Sequence, residues 1–268
     1  MNHKIPVIVN SNTQLRQGQI SELFSSVQGE GLWTGYRQIF LRLSGCDLRC
    51  QWCDTPDSLD YNTQTEFRVE TVTGSGKFEY LPNPVSIEVL AELILKLEVQ
   101  SRHHSLSFTG GEPLLQSDFL LSLIEYLKAC SFKPKFYLET GGHRPDLLLR
   151  LIDLLDLISF DLKLPSSTGE RHLWEKHIEF IKLATHKESY AKIVLTQTTD
   201  WKDLDYACQI LKPYIDCQLV LQPVWGTSKT YNPPSNSQLI AWLDHAIDIL
   251  GANRVRLMSQ QHKYLGQL

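Results

Sequence analysis

The sequence predicts an α/β fold, a partial (βα)6 barrel carried by a single domain over residues 1–268, and three observations predict it. Apolar runs of strand length alternate with stretches of helical period. That alternation is the grammar of a parallel sheet. The chemically unusual residues fall just behind the strand runs, at what would be one end of a barrel.

The elements follow in order. QIFLRL (38–43), HSLSF (104–108), KFYLE (135–139), LISFDLK (157–163), AKIVLT (191–196) and CQLVLQ (217–222) read as strands. Between and after them, residues 86–98, 118–130, 146–155, 172–186, 203–211 and 237–250 carry helical periodicity, the first behind a Ser86 N-cap. A further apolar run, RVRLM (254–258), follows the sixth unit, so the set fits an open or partial barrel better than a flat doubly wound sheet. No fixed-period repeat and no low-complexity stretch interrupts it. One span does: residues 56–84, with SLDYNTQTE, TGSGKFEY and LPNP, are too polar and too long for a strand-to-helix loop. They read as an insertion, either a lid or partner element or a solvated excursion.

Of the 268 residues 42% are hydrophobic and 21% charged, enough apolar content for one sizeable core. A net charge of −4 with scattered Lys and Arg leaves no footprint for nucleic acid, so a small-molecule partner is expected. The amino-terminal stretch lacks a signal-peptide pattern and no run reaches membrane-spanning length, which predicts a cytoplasmic protein with reduced thiols. Six cysteines then do not imply disulfides. Cys130, Cys208 and Cys217 sit singly among apolar residues and read as core.

The strand ends carry SGCDLRCQWCDT, TGGEP, TGGHRP, DLK, TQT and QPVW, six unusual loops on one face. The two glycine pairs read as places where backbone approaches a ligand closely, the alternative being tight turns. Cys46, Cys50 and Cys53 lie within eight positions with no fourth ligand nearby. A structural zinc site closes with four ligands, usually as two pairs. An iron–sulfur cubane takes one thiolate per iron, so three leave one iron open, and a cofactor can dock there through its amine and carboxylate.

Cys46, Cys50 and Cys53 form C-x3-C-x2-C with Trp52 before the last cysteine, and with the downstream GGEP this resembles the radical S-adenosylmethionine (SAM) superfamily. The resemblance implies a partial (βα)6 TIM-like barrel of the radical SAM type, with a [4Fe-4S] cluster that cleaves SAM to methionine and a 5'-deoxyadenosyl radical. More closely, SELFSSVQGEGLWTGYRQIFLRLSGCDLRCQWCDT (21–55), FTGGEP, ETGG, LQP and MSQQHKYLG (258–266) resemble the 7-carboxy-7-deazaguanine synthase family. That family converts 6-carboxy-5,6,7,8-tetrahydropterin to 7-carboxy-7-deazaguanine and ammonia, a Mg2+-dependent ring contraction toward queuosine and other 7-deazapurines.

By matching position, the resemblance implies Cys46, Cys50 and Cys53 as cluster ligands. It implies Val27, Gln28, Gly29, Glu30, Arg42 and Thr109 at the pterin, and Thr55 as the Mg2+ ligand. For SAM it implies Trp52, Cys53, Asp54, Gly111, Glu139, Thr140, Asp161, Leu162, Lys163, Gln222, Pro223, Val224 and Trp225. A homodimer and a separate electron donor are further implications. The chain departs from the family in the 56–84 insertion, in FDLK where a shorter SPK-like element is common, and in HRP after ETGG, where His143 reads as a helix-start polar group in preference to a residue backing the ligand contacts. Two alternatives stay open: a radical SAM activase acting on a glycyl-radical partner protein, and a non-catalytic zinc-binding interaction module.

Overall fold

The computed structural model describes residues 16–61, 64–226 and 228–267, so the amino-terminal reading falls largely outside the described residues. The chain opens with β1 (Gln17–Gly18) and β2 (Ile20–Val27), passes a 3-10 turn at Gly31–Trp33 and returns as β3 (Arg37–Leu43). Behind the cysteine loop come β4 (Glu66–Glu70), β5 (Phe78–Pro82) and β6 (Val85–Ser86). Strand and helix then alternate: α1 (Ile87–Gln100), β7 (Ser105–Gly110), α2 (Ser117–Ala129), β8 (Lys135–Thr140), α3 (Pro145–Leu151) and β9 (Leu157–Asp161). The remainder is α4 (Pro165–Thr168), α5 (Trp174–Ala184), β10 (Glu188–Leu195), α6 (Trp201–Leu211), β11 (Gln218–Pro223), α7 (Asn236–Leu250), β12 (Val255–Leu257) and α8 (Gln261–Leu265).

Ten strands form one sheet in the order β12-β11-β10-β9-β8-β7-β3-β2-β4-β5, with β3 and β7 to β12 all parallel. The six anticipated strands and the short run after them are all present. Two parts differ from the sequence reading. Strand β2 was not anticipated; it pairs antiparallel with β3 across a hairpin. The 56–84 span is no solvated excursion: β4 pairs parallel with β2, and β5 pairs antiparallel with β4, extending the sheet at its edge.

Local chemistry explains the helices. Ser86 accepts the Val89 N–H at the start of α1, Asp200 accepts the Lys202 N–H ahead of α6, and Ser235 and Gln238 close a reciprocal capping box on α7. On α1 the apolar residues Leu90, Ala91, Ile94 and Leu97 recur at helical spacing and are buried against the sheet. Leu90, Ile94 and Leu97 each contribute roughly 1.5–3 kcal/mol of burial. Cys208 and Cys217 belong to this core and Cys130 packs against it, as expected. A second, smaller cluster of Trp33, Tyr137, Leu157, Tyr190 and Val220 lies apart from the helix-facing core. Among the described residues no helix is long and apolar enough to cross a membrane.

Candidate active site

A cavity of about 470 Å³ is lined by residues at or behind the carboxyl ends of β3, β7, β8, β9, β10 and β11, together with the β2–β3 turn and α8. Five of the six anticipated loops reach it. The TQT segment does not: Thr196 and Thr198 bond to each other and Thr198 to the Ser166 carbonyl, and the strand before them contributes Lys192 and Val194 instead.

The cysteine loop is tied down by its backbone. Gly45 N–H donates to the Ser58 carbonyl, Cys46 N–H to Leu59, and Gln51 N–H to Thr168, while Arg49 Nη1 reaches the Cys46 carbonyl at 2.7 Å. The glycine pair behind β7 makes room for this loop. A Cβ on Gly111 would meet the Gly45 carbonyl at 2.2 Å and one on Gly110 the Leu43 carbonyl at 2.2 Å, so the space goes to neighbouring backbone as well as to the cavity. Cys46, Cys50 and Cys53 are free, half-buried, and all line the cavity. Burial pushes the Cys46 thiol up to about 12 and raises Cys50 too, so in the bare protein both are protonated and iron binding would displace their protons.

The donor set fits an open-cornered cluster: the free thiols of Cys46, Cys50 and Cys53 all line the cavity, one thiol short of the four that a closed structural site takes. Trp52 Nε1 and Gln222 Oε1, on two residues that line the cavity, are buried without a hydrogen-bond partner. Such orphaned atoms are what a bound group would satisfy.

Behind the thiols lies a charged floor. Lys192 Nζ contacts Glu30 Oε2 at 2.5 Å and Asp161 Oδ1 at 3.5 Å; Lys163 Nζ donates to Asp161 Oδ2 at 2.6 Å and stands 4.5 Å from the centre of the Trp52 ring. Burial by itself would raise the Glu30 carboxyl, but Lys192 outweighs it and holds Glu30 at about 2. Burial would likewise discharge Lys192 and Lys163; Asp161 and, for Lys192, Glu30 overcome it and keep both ammonium groups charged. Glu139 accepts from Gln28 Nε2 at 2.6 Å, Ser107 Oγ at 3.0 Å and Thr109 Oγ1 at 3.1 Å, and its carboxyl is raised by burial and by the nearby Glu30 charge.

Almost all the anticipated residues therefore meet in one place: Val27, Gln28, Gly29, Glu30, Arg42, Trp52, Asp54, Thr55, Thr109, Gly111, Glu139, Thr140, Asp161, Lys163, Gln222, Val224 and Trp225 line the cavity beside the cysteines. Leu162 and Pro223 do not. Side chains alternate along a strand, so Leu162, next to Asp161, turns into the hydrophobic core, and Pro223 falls between cavity-lining Gln222 and Val224. Thr55 Oγ1 sits 3.9 Å from Cys53 Sγ and leaves the following 3-10 turn without a side-chain cap. His143 is more than a helix-start polar group: it is buried, and its Nε2 pairs with Asp47 Oδ1 of the cysteine loop at 2.8 Å.

Several residues were missed. Lys192 lies inside β10, between the fully buried Ala191 and Ile193. Glu112 accepts from Leu114 N–H, Thr140 Oγ1 and Gly141 N–H. His177 bridges Gly142 O and the Lys163 N–H, and burial lowers its imidazole to about 4, so it is neutral at pH 7. From α8, Gln260 just ahead of it donates to Glu30 at 2.6 Å, and His262 packs on Gly29, where a Cβ would meet its Nδ1 at 2.0 Å. GGEP and QQHKYLG contained the signal for Glu112 and His262, as parts of quoted motifs; nothing in the sequence pointed to Lys192 or His177.

Comparison with known proteins gives the family. The Radical SAM superfamily model matches residues 41–204, more than half of the chain, and the chain belongs to that superfamily. Within it, the 7-carboxy-7-deazaguanine synthase of Thermococcus kodakarensis is 35% identical over 260 residues, 93% of this chain and 98% of the relative. That of Geobacter sulfurreducens is 36% identical over 258 residues, again 93% and 98%. The chain belongs to the 7-carboxy-7-deazaguanine synthase family. The crystal structure of QueE from Escherichia coli shares the fold, with a TM-score of 0.59 at 23% identity, covering 92% of this chain and 95% of that one.

Proposed function

We propose that this protein converts 6-carboxy-5,6,7,8-tetrahydropterin to 7-carboxy-7-deazaguanine and ammonia, as a radical SAM carbon–nitrogen lyase of 7-deazapurine biosynthesis. The observation that carries the reading is the meeting, in one 470 Å³ cavity, of three free thiols with Arg42 and the Gln28–Glu30 turn. Relatives of nearly equal length bear the synthase name. Nothing in the site favours the activase or the zinc module.

In this reading Cys46, Cys50 and Cys53 hold the [4Fe-4S] cluster, which when bound supplies the electron that splits SAM. Asp161 and Lys163, fixed to each other, Trp52, Asp54, Glu139, Thr140, Gly111, Gln222, Val224 and Trp225 hold SAM beside it. Arg42 offers its guanidinium to the substrate carboxylate, a paired planar contact that an ammonium could not make. Val27, Gln28, Gly29, Glu30 and Thr109 place the pterin ring. Glu30, kept anionic by Lys192, is a hydrogen-bond acceptor for ring N–H groups. The Thr55 hydroxyl is one ligand of Mg2+, which as a hard ion fills its other positions with water and substrate oxygen. A single-domain cytoplasmic homodimer served by a separate electron donor completes the proposal.

The test is anaerobic incubation of reconstituted protein with reductant, SAM, Mg2+ and the carboxytetrahydropterin, followed by mass spectrometry. The expected product is 7-carboxy-7-deazaguanine. SAM cleavage with no such product would overturn the substrate assignment.

A further inference from the structure

We propose that Arg68, carried on the hairpin of the 56–84 insertion, is a positioning residue that keeps Arg42 available to an anionic substrate. The inference rests on the reading of Arg42 as the carboxylate-binding group and gives the insertion a part in it.

Three strands bring three charges into one row. Arg42 on β3 and Arg68 on β4 are both cross-strand partners of Glu22 on β2 between them. Glu22 is buried and divides its carboxylate: Oε1 accepts from Arg42 Nε at 2.6 Å and Oε2 from Arg68 Nε at 2.6 Å. Arg68 is held from its other side by Phe78 of β5, the ring centre lying 4.7 Å from its guanidinium carbon. Only Arg42 lines the cavity; Glu22 and Arg68 stand behind it. Among the described residues the Arg42 side chain hydrogen-bonds only through Nε, so its two terminal nitrogens remain for a ligand.

The charge sum decides the role. Two guanidiniums and one carboxylate leave a net single positive charge, and it is presented at Arg42. Without Arg68 the row sums to zero: Glu22 neutralises Arg42 and its other buried oxygen repels an incoming carboxylate. A buried charge stripped of one partner is the costly case, and the cost would appear in substrate affinity because substrate binding places another anion beside it. The insertion thus supplies the counter-charge that lets a buried glutamate orient Arg42 without consuming it.

The experiment measures equilibrium binding of 6-carboxypterin, the stable oxidised analogue, by pterin fluorescence, alongside KM and kcat, in wild-type, Arg68→Met, Glu22→Gln and the double variant. Arg68→Met is expected to raise Kd and KM about tenfold with kcat within about twofold, the size of one lost charge-assisted contact. Binding of 6-hydroxymethylpterin, which lacks the carboxylate, is expected to stay unchanged. Adding Glu22→Gln restores the single positive charge and is expected to restore Kd, which a merely structural role for Arg68 would not allow. Where Arg68→Met is too unstable to assay, the Glu22→Gln chain with and without Arg68→Met decides: a change in Kd well below about tenfold supports the proposal, and a rise of about tenfold or more, as large as that expected with Glu22 in place, overturns it. Unchanged Kd in Arg68→Met, or equal weakening of both pterins, also overturns it. A wild-type protein that neither binds carboxypterin nor forms product sinks the proposed function itself, which separates the two failures.

Discussion

Along four neighbouring strands, positions two residues apart on the same face have opposite chemistry. Tyr137, Leu157, Tyr190 and Val220 join Trp33 in a dry cluster, with Trp33 4.9 Å from the Tyr137 ring and 5.2 Å from Tyr190. Two residues further on, Glu139, Ser159, Lys192 and Gln222 line the cavity. The first layer is apolar and aromatic and closes the inside of the sheet from the amino-terminal end. The second is charged or polar and open to ligand. A strand extended past a packed layer carries the next side chain on that face about 7 Å onward. The cheapest way to aim a buried charge is therefore to anchor it on aromatics directly behind it.

The two layers are expected to fail differently, and the largest difference comes from the loop above them. Cys50→Ala should abolish product completely and leave an unchanged far-UV circular dichroism spectrum; retained product would break the assignment. Lys192→Met removes the cation shared by Glu30 and Asp161 and is expected to lower stability by about 3–5 kcal/mol as well as activity. This variant also has a pH signature. In the wild type Glu30 is held at about 2, below its ordinary 4.5, so its contribution is full above pH 4.5 and is lost as pH falls toward 2. Without Lys192 that acid loss should flatten, read from urea midpoints between pH 5 and 2. Trp33→Ala empties the dry layer and should cost about 3–5 kcal/mol of stability while kcat per folded molecule holds. A kcat collapse in folded Trp33→Ala would blur the distinction between the layers. Smallest, Thr55→Ala should raise the Mg2+ concentration for half activity about tenfold with SAM affinity little changed. Equal loss of both would count against a metal role.

How far the sequence revealed this depended on whether a residue's partner was near in the chain. Strands such as LISFD are buried throughout and read directly from their apolar run. Strand β2, ISELFSSV, does not read that way, because its buried Glu22 and Ser25 are satisfied by partners far away in sequence, Arg68, His103 and Glu70. The 56–84 span was illegible for the same reason: EFRVE looks solvated until Arg68 and Glu70 are seen to pair with β2. Within the site, the cysteine spacing and glycine pairs were legible because each is a local pattern. Lys192 was not, since a lysine in a buried strand becomes sensible only when Glu30 and Asp161 close on it. Leu162 and Pro223 do not line the cavity: contiguous motifs were carried over whole, whereas a strand shows the cavity every second residue.

The buried carboxylate of Glu112 has a last consequence. Its own N–H donates to Gly45, its oxygens receive Leu114, Thr140 and Gly141, and His143 next to them reaches Asp47. Three rim loops are thereby welded into one stiff collar before any guest arrives. Little chain disorder remains to be frozen on docking, so affinity here should respond sharply to sub-ångström misfit, and a guest of the wrong shape meets a wall that does not yield.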